Sequence, residues 1–97
     1  MRYLVESYLP VTGAEDQAEV AARARAAADE LAREGASLRH LDCIFVPEDE
    51  MCLLLYEADS AELARAASRR AGIECERVLE AAGVLEVDSR AKEASDE

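Results

Sequence analysis

The sequence predicts an α+β fold of the ferredoxin-like kind, a four-stranded antiparallel sheet carrying two helices on one face. Three observations lead there. Strand-like and helix-like stretches follow the order strand, helix, strand, strand, helix, strand, and right-handed crossovers in such a chain set both helices on one side of the sheet. The stretch Met51 to Tyr56, MCLLLY, is an uncharged run stopped by Glu57, and it reads as a strand in the middle of a sheet, where this topology places its third strand. Side chains alternate along a strand, so Met51, Leu53 and Leu55 line one side while Cys52, Leu54 and Tyr56 line the other. Both sides call for cover, and two helices cover only one. The simplest cover for the second is another copy of the chain, so the expected assembly is a homodimer of the dimeric α+β barrel type.

Arg2 to Tyr8 mixes Tyr, Leu and Val with alternating polar residues, a pattern that suits a pleated surface. Pro10 cannot donate to a ladder and ends this strand. Thr12 and Glu15 have the spacing of a capping box, and a helix is predicted from Ala14 to Glu34, with Val20, Ala24, Ala27 and Leu31 on one face and Gly35 as its stop. Ser37 to Val46 is the second strand. Strict alternation gives Leu41, Cys43 and Phe45 to one face and Leu38, His40, Asp42 and Ile44 to the other. A turn at Val46-Pro47-Glu48-Asp49 leads into MCLLLY, and closing it with Phe45 opposite Glu50 places Cys43 across from Cys52. Asp59 and Ser60 both offer an N-cap to a second helix through Leu63, Ala66, Ala67 and Arg70, stopped by Gly72. A last strand is centred on Val78 to Ala82, with Val84, Leu85 and Val87 extending it past Gly83.

At 97 residues the chain is long enough for one domain, assigned to residues 1–87, followed by a polar acidic tail over 88–97 with no periodicity to order it. Twenty-two acidic against eleven basic residues give a net charge of −11. That charge repels phosphate backbones and anionic headgroups, which excludes nucleic acid and membrane surfaces as expected partners. No apolar run is long enough to cross a bilayer, and Met1 leads directly into a strand, so a cytoplasmic location is expected. Three cysteines, an odd number without close spacing, read as reduced thiols.

The segments Tyr3-Leu4-Val5-Glu6, Tyr8-Leu9-Pro10, Phe45-Val46-Pro47-Glu48-Asp49-Glu50 with Cys52, Tyr56-Glu57-Ala58 and Arg70-Ala71-Gly72-Ile73 resemble, in order and spacing, a family of small ferredoxin-like proteins known as a domain of unknown function. Some of its members are described as nickel-binding. The likeness runs from Met1 to about Leu85, and it implies the same fold, pairing into a dimer. Members that resemble the nickel binders carry a His at the position of Cys43, whereas the single His of this chain, His40, stands three residues earlier.

Nickel and other divalent transition metals favour imidazole and thiolate, with carboxylates as supplementary donors. The candidate metal ligands are Glu6, His40, Asp42 and Cys43, with His40, Asp42 and Glu6 expected on the dimer side of the sheet. Cys43 and Cys52 read either as soft ligands, as a cross-strand disulfide or as buried thiols under a helix. No nucleophile with an adjacent base, no phosphate loop and no paired-carboxylate signature is present. The reading is a small homodimeric binding protein for a divalent metal such as nickel. The alternative is a dimeric-barrel isomerase or cofactor-free oxidase using Glu6, Tyr3 or Tyr8, and His40 on a small organic molecule between the sheets.

Overall fold

A computed structural model describes residues 1–9 and 13–81. The strands are β1 (Arg2–Tyr8), β2 (Leu38–Val46), β3 (Met51–Ala58) and β4 (Arg77–Ala81), and the helices are α1 (Ala14–Arg33) and α2 (Ala61–Arg70). They form one antiparallel sheet in the order β2-β3-β1-β4, the ferredoxin-like arrangement with MCLLLY at its centre. The expected extension of β4 through Val84, Leu85 and Val87, the Pro10 strand end, the Thr12 hydroxyl and the acidic tail all lie outside the described residues.

Helix ends follow the local chemistry. The N-cap of α1 is Gly13, one residue later than the capping box requires. Ser60 caps α2 by accepting the Leu63 N–H at 3.2 Å. Both helices stop at glycines with positive φ, Gly35 at 106° and Gly72 at 78°. The following amides turn back to Leu31 and Ser68, the Schellman closure that a left-handed glycine permits. Arg23 of α1 donates through Nε to the Ala71 carbonyl at the end of α2, and Arg70 of α2 is paired with Glu34 just past α1.

One side of the sheet packs on both helices. Val5, Leu38, Cys52, Leu54, Tyr56 and Ala58 from the strands meet Val20, Ala24, Ala27, Ala28, Ala64 and Ala67 from the helices in a single core. The helix contribution is almost all alanine, so the helices lie close to the sheet while adding little volume. Along β3 burial alternates strictly, with Cys52, Leu54, Tyr56 and Ala58 buried and Met51, Leu53, Leu55 and Glu57 partly covered. The second set shares the open face with Leu4, Ile44 and Leu79, and no element among the described residues packs there.

Two expectations about β2 are corrected. The first pair of the β2–β3 hairpin is Val46 with Met51, followed by Phe45 with Cys52 and Cys43 with Leu54. The short 3-10 turn Pro47–Asp49 and Glu50, whose φ is 53°, use four residues for the reversal, so pairing begins later than Phe45 opposite Glu50. The shift is two residues, which keeps every side chain on its face. The second correction is a bulge: His40 pairs with Tyr56 and Asp42 with Leu55, leaving Leu41 as the extra residue. The parity of the strand changes there. His40 therefore faces the helices, with Leu38 and Cys43, rather than the open face with Asp42.

Candidate functional site

The bulge assembles a cluster of polar side chains on the covered face of three neighbouring strands. His40 Nε2 lies 3.5 Å from Cys43 Sγ, and the imidazole stands edge-on to the Tyr56 ring at a centroid distance of 5.4 Å. Cys52 is the diagonal neighbour of Cys43 on β3, on the same face of the sheet. Ser7 is the cross-strand neighbour of Cys52 on β1. His40 Nδ1, Tyr56 Oη and Ser7 Oγ are buried and have no hydrogen-bond partner. Three orphaned polar atoms around two thiols and an imidazole are an unusual concentration for the interior of so small a sheet.

The electrostatics follow from this packing. Interaction with the Cys52 thiol pushes the Cys43 thiol well above the ordinary range, with burial adding to it and His40 opposing it. The same interaction lowers Cys52, against the effect of its own burial. Desolvation raises the Tyr56 phenol, and the neighbouring cysteines Cys43, Cys52 and Cys75 add to the shift. A dithiol of this kind releases one proton readily and the second with difficulty.

The predicted ligands divide between the two sides of the sheet. Glu6 and Asp42 are on the open face, whereas His40 and Cys43 are on the covered one. Glu6 is held by Arg77 in a two-pronged contact, Nε to Oε1 at 2.9 Å and Nη2 to Oε2 at 3.3 Å. Its carboxylate is mostly sheltered, at 14% exposure, while the arginine reaches solvent. Asp42 accepts the Cys43 N–H at 2.8 Å. Among the described residues no group of three or more His, Cys, Asp and Glu side chains is gathered closely enough to hold a metal ion by itself. The structure brings together His40 and Cys43, and it keeps Cys52 beside Cys43 as the sequence reading paired them, diagonally rather than directly across.

The residues named for an enzymatic chamber are split in the same way, Tyr3 and His40 facing the helices and Glu6 and Tyr8 facing away. An open cleft of about 400 Å³ at the end of the sheet, lined by Met1, Leu38, Arg39, Glu57 and Asp59 among others, contains none of these four. No helix among the described residues is long and apolar enough to cross a membrane.

Comparison with known proteins points one way. The family described as nickel responsive protein SCO4226-like matches residues 3–81. The crystal structure of SCO4226 from Streptomyces coelicolor A3(2) superposes with a TM-score of 0.69 at 14% identity, over 84% of this chain and 95% of that one. At that identity the likeness is one of fold. No curated protein matches the sequence.

Proposed function

The chain belongs to the nickel-responsive SCO4226-like family, and from that premise we propose that it is a small homodimeric binding protein for a divalent transition metal such as nickel. The observation that carries this reading is the contact between His40 Nε2 and Cys43 Sγ at 3.5 Å. An imidazole nitrogen and a sulfur at that separation are two donors that would hold one ion between them. The donor chemistry suits nickel, zinc and their neighbours. His40 and Cys43 would hold the ion, the remaining positions being left to water or exogenous ligands, and bound metal would supply a fixed positive charge beside the polar cluster. Glu6 and Asp42 stand across the sheet from that pair.

The homodimer rests on a separate observation. Leu4, Ile44, Met51, Leu53, Leu55 and Leu79 form an apolar band on the face without helices, and Ile44 and Leu79 are 44% and 37% exposed. A second copy buries such a band most economically, because each side then supplies an apolar surface of the same shape.

Calorimetric titration of the reduced protein with nickel is expected to show saturable binding, and His40→Ala and Cys43→Ser are each expected to weaken it at least tenfold. Absence of stoichiometric nickel binding would remove the proposal. Unchanged affinity in both variants would move the site elsewhere.

A further inference from the structure

We propose that Cys43 and Cys52 are a thiol-oxidation site, closing into a reversible disulfide when a small peroxide reaches the covered face of the sheet. The two residues lie on adjacent strands and on the same face, one step apart along a diagonal, since Cys43 is opposite Leu54 and Cys52 is opposite Phe45. Diagonal neighbours on one face of an antiparallel pair are within side-chain reach of each other, and the two thiols perturb one another's titration. Such neighbours are ~7–8 Å apart, and a disulfide spans Cα atoms up to about 6.8 Å apart. The small closure required falls on β2, an edge strand already interrupted by the bulge between His40 and Asp42.

Exposure assigns the roles. Cys43 is partly accessible, whereas Cys52 is fully buried at 0%, so the oxidant meets Cys43 first, slowly because that thiol is held protonated, and Cys52 resolves the product. In the first step the Cys43 sulfur bonds to one peroxide oxygen, the O–O bond breaks, and the other oxygen leaves as water with the thiol proton, giving a sulfenic acid. In the second step the Cys52 sulfur bonds to the Cys43 sulfur and the S–O bond breaks. The hydroxyl departs as a second water with the Cys52 proton. Two electrons pass from the sulfurs to the peroxide. His40, at 3.5 Å from Cys43, and the unpartnered Ser7 hydroxyl opposite Cys52 are polar neighbours for the departing water in an otherwise apolar interior.

Cys75 stands apart, its sulfur in contact with Arg65 of α2, so Cys75→Ser isolates the pair. The test is intact-mass spectrometry of the Cys75→Ser protein after a stoichiometric dose of hydrogen peroxide. The expected product has lost two hydrogen atoms, and dithiothreitol restores its mass. Adding Cys52→Ser is expected to strand Cys43 as a sulfenic acid that dimedone captures, whereas adding Cys43→Ser is expected to slow oxidation at least tenfold. Oxygen addition alone in the Cys75→Ser protein, or unmodified thiols, would overturn the proposal. A second arm rests on the metal reading above: the disulfide form is expected to bind nickel at least tenfold more weakly. If the disulfide forms and nickel affinity is unchanged, the role of Cys43 as a metal donor fails while the oxidation site stands.

Discussion

Tyr56 illustrates how single side chains are stressed in this sheet. Its ring is fully buried, and its hydroxyl has no partner, a situation that costs about 1–3 kcal/mol. Tyr56→Phe is therefore expected to raise stability to urea by about 1 kcal/mol. The phenol is also raised above its ordinary value by burial. An unfolded chain ionises this group from about pH 10 upward, while the folded one keeps it protonated, so its contribution is complete below that pH and is lost as pH rises towards the folded value. The advantage of Tyr56→Phe over the wild type is expected to widen between pH 8 and pH 10.5, and equal differences at the two values would contradict the assignment.

At the scale of elements, β2 shows both what alternation reveals and where it fails. Strand and helix positions were legible because apolar spacing reports them directly: β1 runs from Arg2 to Tyr8 and α1 starts at Ala14, as expected. The bulge was not legible, because strict alternation from Phe45 backwards assigns His40 to the open face. A signal was nevertheless present. Leu38 and Leu41 are apolar three residues apart, so strict alternation sends them to opposite faces, and one extra residue between His40 and Asp42 returns Leu38 to the helix side. The candidate site inherited the error, since His40 was grouped with Asp42 and Glu6 on a face that it does not share. Cap chemistry was easier to read. Ser60→Ala is expected to cost about 1 kcal/mol in chemical denaturation, through loss of the bond from Leu63 N–H to Ser60 Oγ.

For the whole molecule, the expected dimer face and the His40 and Cys43 pair lie on opposite sides of one sheet, so association and metal binding are separable. Leu53→Glu places a carboxylate in the middle of the apolar band and is expected to give monomers in analytical ultracentrifugation at micromolar concentration, with nickel affinity within about twofold of wild type as the additivity of distant sites implies. A monomeric wild type under the same conditions would remove the homodimer. Glu6 pairs with Arg77 of β4 and not with Arg39 of β2, the other arginine of the outer strands. Register decides it: Glu6 and Arg77 are direct cross-strand partners, whereas Arg39 is paired with Glu57.

Ala24, Ala27, Ala28, Ala64 and Ala67 make most of the helical half of the interior, and this restricts how the chain can drift. Those positions have almost no atoms to surrender, and larger replacements would force helix and sheet apart. A saturation mutagenesis scan should therefore tolerate hydrophobic exchange mainly from the strands, leaving these helix faces close to frozen.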